Sequence, residues 1–170
     1  IRRVGICGTD LHAFKGDQPF FNYPRILGHE LAGIVLKKNE SKSSLKIGEK
    51  VAVIPYIECG DCDACKIKLF NCCEKINVIG VHSDGGLQEK IAVPAKNLIS
   101  VNSLSFDEIA LIEPLSIGYH ALKRAKIKSA DKILVIGCGP IGIGIISLAL
   151  SFGCEVIATD YNLKRLEYVK

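Results

Sequence analysis

The run "ILVIGCGPIGIGIISLALSFGCEVIATD", from Ile133 to Asp160, leaves the chain few choices of fold. A short β-branched run breaks at a glycine-rich turn, a longer apolar run follows up to Gly153, and a second β-like run ends on Asp160. "NLKRLEYVK" then starts another helical pattern. This is a βαβα order, and it predicts a parallel doubly wound sheet. The uncharged stretch Ile133 to Cys154 has the length of a membrane span, but five glycines and Pro140 divide it into strand, turn and helix. A buried strand–turn–helix is the better reading, and no membrane partner is expected.

Gly137, Gly139 and Gly142 stand in G-x-G-x-x-G spacing, which alone is a weak pattern. Context strengthens it, because the glycines follow a strand, open a helix and precede an acid at the end of the next strand. Gly137 permits a tight turn, Gly139 lets backbone approach a pyrophosphate, and Gly142 lets the helix pack closely. With Pro140 and Ile141 they form a helix N-terminus whose unpaired N–H groups suit phosphate. Asp160 would accept hydrogen bonds from both adenosine ribose hydroxyls and repel a 2′-phosphate. NAD is therefore favoured over NADP, a preference tempered by Arg165 in the following helix. A complete domain of this kind needs about six strands, whereas only two are legible here. The chain also contains no methionine and opens on "IRRVGICGTD", so it reads as a piece of a longer protein.

Residues 1–115 have a different grammar. Short β-like runs, "HELAGIVL", "KVAVIPY" and "EKIAVPA", alternate with turn residues. A helical stretch, "FDEIALIEPLSIGYHALKRA", follows and should be interrupted at Pro114. The net charge of +4 is scattered. Its densest patch, Lys37 to Lys50, is broken by Glu40, Glu49 and serines, which suggests a solvated loop rather than a nucleic-acid groove. No secretory leader is visible, so a cytoplasmic protein is expected.

"ECGDCDACKIKLFNCCEK", residues 58–75, holds five of the eight cysteines. A disulfide knot, a redox relay and a metal cage compete for it. Cys59, Cys62, Cys65 and Cys73 give C-x2-C-x2-C-x7-C, with gaps that bring four thiolates around one point. Four sulfurs with no open position describe a structural zinc site. A disulfide framework would want a secretory context, and a redox pair would want an isolated C-x-x-C. Cys72 is the extra thiol, exchangeable in sequence with Cys73. A closed cage has no place for a substrate, so any chemistry belongs elsewhere.

A second constellation is sparser: Cys7, Thr9, Asp10 and His12 in "VGICGTDLHAFKG", then His29 and Glu30 in "YPRILGHELAGIV". Cys7, His29 and Glu30 could supply the three protein ligands of a catalytic zinc, with Glu113 as a candidate fourth. From the residues alone, a lone buried cysteine and a satisfied core histidine are the default reading. The order C-G-T-D, G-H-E, four-cysteine lobe, E-P-L-S, G-x-G-x-x-G resembles the zinc-dependent medium-chain dehydrogenases, and particularly their polyol, sugar-acid and threonine branch. The similarity runs over essentially the whole chain.

That resemblance implies an α/β plus β architecture. A GroES-like β domain would span residues 1–115, with the zinc lobe at 58–75, and the first half of a Rossmann NAD(P)-binding domain would span 116–170. It implies Cys7, His29 and Glu30 as catalytic zinc ligands, with Glu113 a ligand or next to the bound water. It further implies Thr9 as the group taking a proton from the substrate hydroxyl, His12 as its outlet to solvent, and Asp10 as the residue orienting His29. Each has an ordinary alternative: a turn hydroxyl, a surface residue and a helix cap. Phe20, Phe21 and Tyr23 are expected to pack, and His82 and His120 to be structural. The implied activity is oxidation of a secondary alcohol on a sugar acid or polyol, in a homo-oligomer at full length. Threonine or simple alcohol dehydrogenases are the rivals, and a non-catalytic zinc-binding module is the reading of another class.

Overall fold

The computed structural model describes residues 1–39 and 44–170; Glu40, placed by the sequence in the basic loop, lies with residues 41–43 outside the described residues. In chain order the first part runs β1 (Arg3–Gly5), α1 (Gly8–Phe14), β2 (Glu30–Ile34), β3 (Lys50–Val53), β4 (Tyr56–Ile57), α2 (Asp63–Lys66), β5 (Asn77–Val78), β6 (Leu98–Ser100) and α3 (Phe106–Ala110). The second part follows with α4 (Ile112–Ala125), β7 (Lys132–Ile136), α5 (Pro140–Ser151), β8 (Glu155–Thr159) and α6 (Leu163–Tyr168). These form two compact units, Ile1–Glu113 and Pro114–Lys170.

The first unit is built on an antiparallel sheet of order β1-β2-β3-β6, beside a two-stranded ribbon of β4 and β5. Ala32 lies opposite Ala52 in the ladder. This small pair leaves room on one face for α3, whose Ile109 is 1% exposed and clusters with both alanines. Burying such a side chain stabilises by about 1.5–3 kcal/mol. The other face packs Leu31, Val53 and Ile79 together. Ser105 caps α3: its hydroxyl accepts from the Glu108 N–H, while the Glu108 carboxylate accepts from the Ser105 N–H.

Two expectations fail here. "EKIAVPA" forms no strand; Ile91 and Val93 pack on the Leu31 cluster, and β6 takes the place beside β3. Pro94 could not donate to a ladder from an inner position. The helical stretch from Phe106 breaks at Leu111 rather than at Pro114. Pro114 falls in the first turn of α4, where a missing N–H costs little.

In the second unit β7 and β8 pair in parallel, Val135 beside Ala158. The helix α5 returns over one face and buries Val135, Cys138 and Ile146 together. The opposite face shows Leu134, Ile136 and Ile157 at 58%, 80% and 62% exposure. Among the described residues no helix is long and apolar enough to cross a membrane.

Candidate metal and dinucleotide sites

The sulfurs of Cys59, Cys62, Cys65 and Cys73 all lie within 4.8 Å of one another. Cys62 caps α2, Cys65 sits within it, and a 3-10 turn over Phe70–Cys72 brings the chain back to Cys73. Cys72 points out of this group and is exposed. Backbone N–H groups are aimed at the sulfurs: that of Cys59 donates to Cys73 Sγ at 3.3 Å. The N–H groups of Glu74 and Cys65 draw the Cys62 thiol down to about 7. Burial pushes Cys65 the other way, to about 12. All eight cysteines are unpaired. Converging sulfurs that accept amide hydrogen bonds suit thiolates around a soft cation, and the set fits zinc.

The second cluster is assembled from two segments far apart in sequence. Cys7 precedes α1, His29 precedes β2 and Glu30 opens it; one ligand atom from each lies within 4.8 Å of the others. Asp10, 3% exposed, ties the segments together. Its Oδ2 accepts from the Cys7 N–H at 2.8 Å and its Oδ1 from the Gly28 N–H at 3.2 Å. Gly28 adopts φ +97, a conformation that favours glycine, which accounts for the first letter of G-H-E. Asp10 Oδ1 stands 3.7 Å from His29 Nδ1, beyond hydrogen-bond range, and that nitrogen is buried without a partner. Asp10 therefore holds the backbone on both sides of the site instead of bonding the imidazole ring.

Asp10, His29, Glu30 and Glu113 are four of the five buried polar or charged side chains among the described residues. A hydrogen bond with His29 lowers the Cys7 thiol below its ordinary value. Burial raises Glu30, and the charges of Glu113 and Asp10 add to the rise. For His29 burial is the largest single influence and pushes down, but Cys7 and the nearby carboxylates outweigh it, so it is raised. Four acidic groups facing one base, with one ligand atom each of Cys7, His29 and Glu30 converging, fit a divalent cation held by those three residues. Zinc accepts this sulfur, nitrogen and oxygen set. Thr9, in the first turn of α1, stands two residues from Cys7, and its N–H and hydroxyl add to the lowering of the Cys7 thiol. His12 is exposed one turn further along α1, on the Thr9 side.

Two residues escaped the sequence reading. Gly5 pairs with Glu30 across the β1–β2 ladder. A Cβ there would lie 2.0 Å from Glu30 Oε2, so the glycine makes room for that carboxylate. Tyr56, at the start of β4, donates its hydroxyl to Glu113 Oε1 at 2.5 Å. Burial, followed by that hydrogen bond, raises the phenol above its usual range. Both lie in stretches singled out above, but their roles depend on partners distant in the chain, which no local signal reveals. Of the expected packing aromatics, Phe21 is buried and stacks on Tyr23, but Phe20 is 69% exposed. His82 Nδ1 accepts from the Val78 N–H, and His120 lies exposed in α4.

In the second unit Gly137 has φ +97 and closes the turn after β7. A Cβ on Gly142 would fall 1.9 Å from Gly137 O, so helix and turn touch there. Gly139 differs: its Cβ would meet only Arg165 Nη1, at 3.9 Å. The protein's own packing leaves space at Gly139, as a close-lying phosphate requires. Gly139 caps α5 and Pro140 occupies its first turn, with Ile141 next to it. Asp160 accepts from the Cys138 N–H at 2.7 Å and the Asn162 N–H at 2.8 Å, so it staples the turn. Its two oxygens offer about four acceptor positions, and about half remain for a ligand. The Asn162 and Cys138 hydrogen bonds hold its carboxyl below the ordinary range, with Arg165 3.7 Å away. The cradle fits a dinucleotide pyrophosphate.

A β unit bearing two cation-competent clusters, followed by a strand–turn–helix phosphate cradle, defines a metal- and dinucleotide-binding class of chain. Residues 1–103 match the alcohol dehydrogenase GroES-like domain, and the chain belongs to that family, among the zinc-type medium-chain dehydrogenases. L-galactonate-5-dehydrogenase of Escherichia coli (strain K12) is 48% identical over 169 residues, 99% of this chain and 50% of the relative. Galactitol-1-phosphate dehydrogenase from Escherichia coli superposes with a TM-score of 0.91 at 32% identity, over 98% of this chain and 48% of that one. The short chain alcohol dehydrogenase RspB of E. coli CFT073, solved with NADH, gives a TM-score of 0.89 at 37% identity, over 98% and 49%. The chain thus spans about half the length of the relatives it matches.

Proposed function

We propose that the whole protein is a zinc-dependent dehydrogenase that moves a hydride between NAD and a secondary alcohol of a sugar acid or polyol. The observation carrying this reading is the convergence of Cys7, His29 and Glu30 on one point. Zinc held there supplies Lewis acidity towards a substrate hydroxyl. Thr9 stands near Cys7 and relays the hydroxyl proton: its oxygen accepts that proton as its own hydroxyl proton passes on towards exposed His12, which exchanges it with solvent. Asp10 keeps the Cys7 and Gly28 backbones in register while this happens. Glu113 borders the site as an acceptor. The second zinc, held by Cys59, Cys62, Cys65 and Cys73, shapes the lobe and takes no part in the chemistry. Gly137 to Gly142 and Asp160 bind the dinucleotide, with NAD ahead of NADP because of Asp160. The sugar-acid class is supported by the relative L-galactonate-5-dehydrogenase.

A cytoplasmic location is supported by eight unpaired cysteines. A homo-oligomer at full length rests on family resemblance and is checked by sedimentation. The test of function is a panel of sugar acids, polyols, threonine and simple alcohols, run with the full-length protein and followed by NADH absorbance. A sugar acid or polyol should turn over fastest, and preference for threonine or ethanol would refute the substrate class. Zinc should approach two per chain, falling to one in Cys7→Ser; a stoichiometry of one unaffected by Cys7→Ser would leave only the non-catalytic zinc module.

A further inference from the structure

Two glutamates border the Cys7 cluster, and they are held differently. Glu30 belongs to the group whose ligand atoms fall within 4.8 Å, together with Cys7 and His29; Glu113 does not. Glu113 is nevertheless close, buried to 9% exposure, and its charge acts on both His29 and Glu30. One difference between the two is Tyr56, whose hydroxyl meets Glu113 Oε1 at 2.5 Å, within the range of a charge-assisted O–H···O⁻ bond. The ring is 37% exposed and stands at the beginning of β4, while Glu113 lies in the first turn of α4. The bond therefore joins two elements 57 residues apart.

A catalytic metal works with about three protein ligands and one open position, and a fourth carboxylate would close it. Four candidate donors surround this site, so something has to keep one back. We propose that Tyr56 is a positioning residue that holds Glu113 outside the coordination shell, so that Cys7, His29 and Glu30 bind the metal and its fourth position stays open to water or a substrate oxygen. This rests on the metal reading above.

The test uses full-length protein carrying cobalt(II) at the Cys7 site and zinc in the sulfur cage, titrated with azide while the cobalt d–d bands are recorded. Wild type should bind azide with a spectral shift. Tyr56→Phe should change the azide-free bands and weaken azide binding at least tenfold, as Glu113 takes the open position. Tyr56→Phe combined with Glu113→Gln should restore azide binding, which also shows that the Tyr56→Phe fold is intact. Wild-type azide affinity and bands in Tyr56→Phe would overturn the proposal. So would a wild-type protein that binds no azide, or a double variant that stays as weak as the single one. Absence of any Cys7-dependent cobalt band would instead strike at the metal site, and the role of Tyr56 would fall with it.

Discussion

At Gly5 a hydrogen in place of a methyl group decides where a carboxylate can sit. Its Cβ would fall 2.0 Å from Glu30 Oε2 and 2.9 Å from Glu30 Cβ, so rotating the end of the glutamate does not relieve the clash. Gly5→Ala should therefore displace Glu30 and empty one metal site while sparing the sulfur cage. Elemental analysis of the full-length protein should read close to one zinc per chain instead of two, and two retained zincs would contradict the account. Cys7, His29 and Glu30 taken singly read as a buried cysteine and core polar residues, and only the order of the surrounding motifs, through the family resemblance, marked them as a set. Gly5 carried no such mark, because its importance comes from a cross-strand neighbour 25 positions away. Tyr56 was hidden for the same reason. Asp10 was expected to orient the imidazole; in the structure each of its oxygens accepts a backbone N–H, and Oδ1 stands 3.7 Å from His29 Nδ1.

Among the elements, the turn between β7 and α5 separates two kinds of glycine. Gly142→Ala would bring a methyl group to 1.9 Å from Gly137 O and should destabilise the unit by about 1–3 kcal/mol or more. Gly139→Ala meets only Arg165 Nη1 at 3.9 Å, so the fold should survive while the cradle is blocked. Thermal unfolding and NADH titration of the two full-length variants should diverge. Gly142→Ala should lose melting temperature and binding together, whereas Gly139→Ala should lose binding alone. The strand–turn–helix–strand order was legible because buried parallel strands and an apolar helix have different lengths and periods. "EKIAVPA" misled because β-like composition reports a half-buried surface, which an irregular segment can also supply. Helix propensity likewise could not say that the break falls at Leu111, one turn before Pro114.

The molecule as a whole divides its stability unevenly. The sheet of the first unit has clusters on both faces, around Leu31 and around Ala32. The sulfur lobe has only Cys62, Cys65 and Cys73 at its centre, with Ala64 and Ile76 against them. So small an apolar centre contributes little burial towards ordering residues 58–75. Zinc bound by the four sulfurs would add the stabilisation that the centre lacks. Chelation should accordingly open residues 58–75 to hydrogen exchange and proteolysis while β2 and β3 stay protected; an equally protected lobe in metal-free protein would refute this. The sequence by itself determined the order of the two units, the four-sulfur spacing and the glycine cradle, because each rests on local periodicity or on ligand spacing within a short segment. The tertiary structure alone decided that Cys73 rather than Cys72 joins the cage, that Asp10 staples two loops, and that Gly5 and Tyr56 each govern a glutamate. Most of these turn on contacts between residues distant in the chain, which exist only once the folded backbone has brought them together.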